Sequence, residues 1–176
     1  AVNNPARHVH RLLATRNVLD EMHIPRAELV HGEVIDKLLP PSAVHQGVVA
    51  EVSPLPRMDI EDLGDDKIVI ILDQVTDPHN VGAILRSAAA FGCGAVIVQD
   101  KNSPEENGAL AKAASGALEK VPMIKVVNIS RAMEDLKKMD FWCIGLDGEA
   151  KQPISQIHNY EKVVLVLGAE GRGLRR

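Results

Sequence analysis

The chain has 176 residues, an apolar fraction of 45% and a net charge of −4; these values fit one globular domain with a small appendage and argue against a protein that holds nucleic acid through its overall charge. Aromatic residues make up 2% of the chain, which argues against a single-strand RNA module built on exposed aromatic platforms. The sequence has no apolar run of the roughly 20 residues that cross a membrane and no signal-peptide pattern at its start, so we expect a cytoplasmic protein without a membrane partner.

Residues 1–56 are predicted to form a first small unit of strands and helices. The predicted helices cover 17–22 and 32–39, and two prolines follow the second helix. The predicted strands cover 11–14, 27–30 and 47–52. Because no full strand precedes residue 11, we expect this unit to be part of a small α/β domain that begins earlier in the natural protein.

The first unit opens with the densest positive stretch of the chain. No acidic residue precedes Asp20, whereas five basic or imidazole side chains do: Arg7, His8, His10, Arg11 and Arg16. Such a cluster is either a solvated face of the fold or a local patch that contacts RNA phosphates. We interpret Arg7, Arg11 and Arg16 as candidate RNA-binding residues.

A linker is predicted at 57–66. Two prolines precede it, at positions 54 and 56, and they disfavour regular structure. An acidic run then resists burial, although a short helix within it fits the pattern. The acids are Asp59, Glu61, Asp62, Asp65 and Asp66.

Residues 67–176 alternate between apolar strands and helices. The predicted strands cover 68–72, 95–98, 123–127, 141–146 and 163–167. The predicted helices cover 80–91, 104–113 and 130–138, with Asn80 and Ser130 as N-caps of the first and last. Fully apolar strands that alternate with helices predict an α/β fold with a parallel sheet covered on both faces.

The two cysteines, Cys93 and Cys143, lie in apolar segments of this second region. Their spacing fits neither a disulfide framework nor a zinc site. We therefore expect reduced thiols in the core and no bound metal.

Two glycine-containing motifs follow the first and last strands of the second region. The first has the pattern Asn80-x-Gly82-x-x-x-Arg86, and the second runs from Gly168 to Gly173 around Glu170. A parallel sheet builds its ligand site at the carboxyl ends of its strands, where both motifs lie. The alternatives are a tight structural turn for the second motif and a surface ion pair of Arg86 with Asp73 or Asp77. Neither a dinucleotide fingerprint nor a P-loop is present, which argues against a nucleotide-dependent dehydrogenase.

Three weaker signals accompany the two motifs. Ser115-Gly116-Ala117 allows close approach of a ligand or of another helix, and Gly145-Leu146-Asp147-Gly148 ends a strand at the same edge of the sheet. His45-Gln46-Gly47 fits a turn before a strand. His79 is a candidate for a residue that contacts the site residues rather than the substrate.

Together these residues resemble the SpoU/TrmH-type RNA ribose 2′-O-methyltransferases of the SPOUT superfamily. The resemblance rests on 73–86 and 168–173, with support from 115–117 and 45–47, and it covers nearly the whole chain. The segment 45–47 resembles the branch that acts on a guanosine of 23S ribosomal RNA. The family's third motif, a Pro-Met turn followed by a Ser-Leu-Asn segment, does not occur before Arg176. We therefore expect the natural protein to continue past this point.

The resemblance implies a trefoil-knotted methyltransferase domain at 67–176, an S-adenosylmethionine cofactor, a homodimer and an RNA-binding domain like ribosomal protein L30e at 1–56. It implies methyl transfer to a ribose 2′-hydroxyl, with a transfer RNA substrate or a non-catalytic RNA-binding relative as alternatives. The implied catalytic residues are Arg86, Asn80 and Glu170. The implied cofactor-binding residues are Leu146, Gly148, Leu167, Gly168 and Gly171. We assign Arg86 a clamping role rather than a basic one, because an arginine pKa above about 12 opposes deprotonation.

Overall fold

The computed structural model describes residues 1–24, 26–41, 43–156, 160–171 and 173–175, without the side chain of Asn102. The chain divides into two compact units, Ala1–Pro56 and Arg57–Arg176. Among the described helices, none has both the length and the apolar character that a membrane crossing requires.

The first unit is a three-stranded sheet with two short helices. Strand β1 lies at its centre, parallel to β2 and antiparallel to β3. The elements are β1 (Val9–Ala14), α1 (Arg16–Met22), β2 (Glu28–Leu29), α2 (Gly32–Leu38) and β3 (Val48–Val52). Strand β1 begins earlier than the sequence predicts, because Val9 pairs with Val52 across a shift in register.

The segment predicted as a linker contributes to the core of the second unit. Residues Ile60–Asp62 form a short 3-10 helix, which is closed by a hydrogen bond from the backbone nitrogen of Asp59 to the carboxylate of Asp62 (2.9 Å). Ile60 and Leu63 are buried among the core residues of the second unit. Residues 57–66 therefore belong to this unit, because two apolar side chains among the acids anchor the segment.

The second unit is a five-stranded parallel sheet flanked by helices, which confirms the predicted α/β class. Its strand order is β6-β5-β4-β8-β7, and every neighbouring pair is parallel. The elements are β4 (Ile68–Asp73), α3 (Pro78–Ala90), β5 (Ala95–Gln99), α4 (Gly108–Ala114), β6 (Met123–Val126), α5 (Ile129–Lys138), β7 (Trp142–Leu146) and β8 (Val163–Gly168).

Both faces of this sheet are buried, as alternation along β4 illustrates. Val69 and Ile71 belong to one core cluster with Leu136 of α5. Ile70 and Leu72 belong to a second cluster that packs against α3 and α4. Because successive side chains of a strand point to opposite faces, an uninterrupted apolar strand requires this double cover.

The helices begin at capping residues that differ from those the sequence predicts. Helix α3 begins two residues early, because Asp77 accepts a hydrogen bond from the His79 backbone nitrogen (2.9 Å). Asn128 rather than Ser130 caps α5, by accepting from the Arg131 nitrogen (3.1 Å). Asn107 caps α4, which therefore begins four residues later than the pattern indicates. Asn80 thus lies inside the first turn of α3, not at its cap.

The two cysteines are free thiols, one buried and one half-buried. Burial raises the pKa of both Cys93 and Cys143. Both thiols therefore stay protonated at neutral pH, and a protonated thiol is a poor nucleophile and a poor metal ligand. Within the described residues, no group of three or more His, Cys, Asp or Glu side chains is placed to hold a metal ion.

Candidate functional site

The carboxyl edge of the parallel sheet brings the two glycine motifs into contact. Strands β4 and β8 are neighbours, and their last residues, Asp73 and Gly168, are directly paired. The Asn80 side-chain amide lies 3.5 Å from a carboxylate oxygen of Glu170, at the long limit of a hydrogen bond. Residues 90 positions apart therefore meet at one site.

The second motif folds into a tight loop that presents Glu170 to solvent. The Gly173 nitrogen donates to the Ala169 carbonyl (2.9 Å), and a Cβ on Gly168 would overlap the Gly173 backbone. Gly171 and Gly173 adopt φ values of +80° and +63°, which favour glycine. The structural-turn alternative is therefore correct in part: the turn is tight, and it also positions an exposed acid beside α3.

An ion pair between a buried carboxylate and a half-exposed arginine, which the sequence does not reveal, holds the end of this loop. Asp73 is 5% exposed. Its carboxylate accepts from the Arg175 backbone nitrogen (3.0 Å) and from the Arg175 Nε (2.8 Å). An Arg175 Nη2 also lies 3.4 Å from the side-chain oxygen of Gln99 at the end of β5. The signal in the sequence is an aspartate that directly follows an apolar strand, but the partner lies 102 residues away.

Arg86 is exposed on α3 and is not paired with Asp73, which corrects the ion-pair alternative at that residue. Its Nη1 donates to the backbone carbonyl of Ala113 in the last turn of α4. One turn earlier on α3, Gly82 faces the same residue: a Cβ on Gly82 would lie 2.5 Å from the Ala113 Cβ and 2.7 Å from its carbonyl carbon. Real Cβ atoms do not approach so closely, so α4 crosses α3 here because position 82 is glycine.

Helix α4 ends immediately after this contact. Ser115 and Gly116 have φ values of +48° and +86°, so two successive left-handed residues terminate the helix. Ala117 is then buried. The Ser115-Gly116-Ala117 signal thus corresponds to the turn that ends α4. A Cβ on Gly116 would meet nothing within 4 Å, so the predicted alternative of close helix packing does not apply at this glycine.

The predicted cofactor-binding residues lie at the carboxyl ends of β7 and β8. Leu146 and Leu167 are register partners at the ends of these strands. A Cβ would meet open space at Gly148 and Gly171, whereas Gly168 is closely packed. The strand ends are half-buried, and two glycines with open space beside them follow. A small molecule can therefore reach the backbone groups at this edge of the sheet.

A cavity of about 430 Å³ opens at the same edge, on the side of the sheet covered by α5. This volume lies in the range of small-molecule sites, about 300–1,000 Å³. Its lining combines polar and apolar residues from β4, β5, β7 and β8, from the start of α5 and from the segment after β8, among them Asp73, Gln99, Asn128, Gly145, Leu174 and Arg175. The sequence alone does not predict this cavity, because it depends on the order of the strands.

The three candidate RNA-binding arginines of the first unit do not form one open patch. Arg7 is buried, and its Nη1 donates to the Ser53 carbonyl (3.0 Å), which corrects its prediction as a surface contact. Arg11 is half-exposed and forms an ion pair with Glu28 (3.2 Å). Arg16 is exposed at the first residue of α1. Exposed positive charge is therefore restricted to Arg11 and Arg16 within this set.

The two histidines of the weaker signals, His45 and His79, differ in position. His45 contacts the Asp36 carboxylate (3.0 Å) and accepts a hydrogen bond from the Gly47 nitrogen (3.0 Å), so it stabilises the turn before β3. His79 lies in the first turn of α3, next to Asn80. Of the two, His79 alone belongs to the unit that carries the site.

Comparisons with known proteins agree on one family. A model described as the SpoU rRNA Methylase family matches residues 67–176. The chain is 44% identical over 140 residues to the 23S rRNA (guanosine-2'-O-)-methyltransferase RlmB of Escherichia coli (strain K12), covering 76% of this chain and 58% of that relative. It is 37% identical over 172 residues to the RlmB of Vibrio vulnificus (strain CMCP6), covering 94% of this chain and 69% of that relative. The chain therefore spans less than two thirds of the E. coli relative.

Solved structures share the fold. The SpoU methyltransferase AviRb from Streptomyces viridochromogenes in complex with the cofactor AdoMet superposes with a TM-score of 0.75 at 23% identity, over 96% of this chain and 68% of that one. A putative RNA methyltransferase of the TrmH family from Porphyromonas gingivalis superposes with a TM-score of 0.70 at 27% identity, over 99% of this chain and 70% of that one.

Proposed function

Because this chain belongs to the SpoU rRNA methylase family, as its two motifs predict, we propose that it transfers a methyl group from S-adenosylmethionine to a ribose 2′-hydroxyl. The proposed substrate is a guanosine of 23S ribosomal RNA, the substrate class in the names of the relatives. The observation that carries the proposal is the contact between Asn80 of the first motif and Glu170 of the second. It joins both motifs at the edge of the sheet where ligands bind.

The cofactor fits the carboxyl ends of β7 and β8. Leu146 and Leu167 would contact its apolar parts, and the backbone of Gly148, Gly168 and Gly171 would surround it, since no side chain obstructs Gly148 or Gly171. When bound, S-adenosylmethionine supplies a methyl group that is electrophilic because it is attached to a sulfonium. The remaining task of the protein is to orient a weak hydroxyl nucleophile in line with that methyl group.

Arg86 is proposed to orient the nucleophile rather than to deprotonate it. A guanidinium remains charged at neutral pH, so it donates hydrogen bonds and does not accept a proton. Arg86 would therefore hold the ribose hydroxyl and the adjacent phosphate, and the hydroxyl proton would leave to phosphate or water. Asn80 and Glu170 would fix the second motif against α3 while this happens.

The resemblance supports further proposals about the whole protein. The first unit would serve as an L30e-like domain that selects the RNA, and the protein would act as a cytoplasmic homodimer. The methyltransferase domain would form a trefoil knot, in line with the parallel α/β architecture of the second unit.

The test is methyl transfer by the purified protein from labelled S-adenosylmethionine to 23S ribosomal RNA and, in parallel, to transfer RNA. We expect 2′-O-methylguanosine in the ribosomal RNA, mapped by mass spectrometry. Arg86→Ala should reduce transfer by about 100-fold, because loss of the group that orients a nucleophile costs on the order of 10²-fold, while calorimetry shows unchanged cofactor affinity. Methylation of transfer RNA alone would support the alternative substrate. Binding of NAD without any response to S-adenosylmethionine would refute the proposal.

A further inference from the structure

Helices α3 and α4 pack closely, and two of their points of contact, one helical turn apart on α3, both involve Ala113. At the first point the missing side chain of Gly82 lets α4 approach α3, because a Cβ at this position would lie only 2.9 Å from the Ala114 nitrogen. At the second point the Arg86 guanidinium donates to the Ala113 carbonyl. Residues four apart on a helix share a face, so the two contacts are geometrically linked.

The Ala113 carbonyl is suited to accept from outside its own helix. The last four carbonyls of an α-helix have no partner within it, and α4 ends at Ala114 with left-handed Ser115. The neighbouring Lys112 carbonyl already accepts from the Ser115 nitrogen (3.2 Å). The adjacent Ala113 carbonyl accepts from Arg86 instead.

We propose that Gly82 and the Ala113 carbonyl form a positioning device for Arg86, so that the α3–α4 crossing sets where its guanidinium lies. Gly82 and Ala113 are positioning residues, since Ala113 acts on the guanidinium and Gly82 acts only through α4. The expected effect on methyl transfer rests on the proposed function. The position of the Arg86 guanidinium does not depend on it. A methyl group at position 82 would push α4 away from α3. This movement withdraws the Ala113 carbonyl and frees the Arg86 guanidinium.

Gly82→Ala tests the device, and Gly108→Ala is the matched control. Gly108 lies on α4, the helix that carries Ala113, and a Cβ there meets nothing within 4 Å. The first measurement is nitrogen-15 NMR of the arginine side chains, which needs no activity. We expect the Arg86 Nη protons to give a distinct, slowly exchanging signal in the wild type and in Gly108→Ala, and an averaged signal in Gly82→Ala. The same Arg86 signal in all three proteins would overturn the proposal.

The second measurement is a double-mutant cycle on methyl transfer. Gly82→Ala should lower kcat at least tenfold with cofactor affinity unchanged within twofold. In an Arg86→Ala background, the same substitution should change kcat less than twofold, because the positioned group is already gone. An equal loss in both backgrounds would mean that Gly82 acts on the fold in general, and the proposal would be rejected. An inactive wild type would refute the proposed function, while the NMR result would still decide the positioning.

A second variant covers the case in which Gly82→Ala does not fold. Gly82→Ala combined with Ala113→Gly removes the closest clash, between the two Cβ atoms, and leaves the approaches of 2.7 Å and 2.9 Å to the α4 backbone. This double variant should fold, which urea denaturation checks, and should still show the averaged Arg86 signal. A native Arg86 signal in the folded double variant would contradict the device.

Discussion

Asp73 is a charged residue that is almost fully buried in the second unit. A buried carboxylate is costly unless hydrogen bonds and an opposite charge compensate it, and Arg175 supplies both through its backbone and side chain. The same contacts tie the end of the Glu170 loop to the last residue of β4. The loop that approaches Asn80 is therefore held from both sides, by Asp73 at its end and by the β8 pairing at its start.

Replacing Asp73 with Asn should destabilise the protein by about 1–3 kcal/mol, the range for removing hydrogen bonds to charged groups. The value is smaller than the roughly 3–5 kcal/mol for breaking a fully buried ion pair, because the Arg175 side chain is 48% exposed and water replaces part of the interaction. The measurement is the urea midpoint at constant m value. Asp135→Asn is the control, since Asp135 pairs with Lys138 at the surface and should leave the midpoint unchanged. Equal shifts for both variants would contradict the burial argument.

At the scale of elements, the residue at which a helix begins depends on which polar side chain accepts a hydrogen bond from a backbone nitrogen of the first turn. The sequence pattern favours Asn80 and Ser130 as caps, whereas in the structure Asp77 caps α3 and Asn128 caps α5. The apolar strands are predictable because an uninterrupted run of apolar residues indicates a strand that is buried on both faces. The caps are not, because neighbouring polar residues compete and only the path of the chain decides between them.

Asn128→Ala should cost about 1 kcal/mol of stability, the typical loss for an N-cap. Ser130→Ala should be neutral or slightly stabilising, because Ser130 lies inside α5 and alanine has the higher helix propensity. Thermal or urea unfolding of the two variants distinguishes them directly. A larger loss for Ser130→Ala would restore the capping residue that the sequence predicts.

For the molecule as a whole, sequence alone predicts the α/β class, the parallel sheet and the presence of both motifs at its carboxyl edge. It does not predict the Asp73–Arg175 pair or the cavity of about 430 Å³, since both require the order β6-β5-β4-β8-β7. The predicted basic patch is also not preserved as one surface in the folded protein. Positive residues that are close in sequence do not share one surface once the chain folds, so Arg7 is buried while Arg11 stays accessible.

RNA capture by the first unit should therefore depend on Arg11 and Arg16 and not on Arg7. Replacing Arg11 and Arg16 together with Ala should weaken RNA binding and flatten its salt dependence, by about 0.7–0.9 in the slope of log K against log salt for each phosphate that is no longer neutralised. The measurement is RNA affinity across a salt series. Glu28→Gln is the matched control: it removes the carboxylate that pairs with Arg11 at 3.2 Å, so affinity should rise.

Arg7→Ala separates charge from folding in the same experiment. Removal of its hydrogen bond to the Ser53 carbonyl should lower the stability of the first unit. The fraction of protein that remains folded should bind RNA with an unchanged salt dependence. If the Arg11 and Arg16 variant keeps both slope and affinity while Arg7→Ala loses them, the phosphate contact lies at Arg7 after local rearrangement. If both arginine variants keep the slope and the affinity, these arginines are a solvated face and the RNA is bound by other residues of the protein.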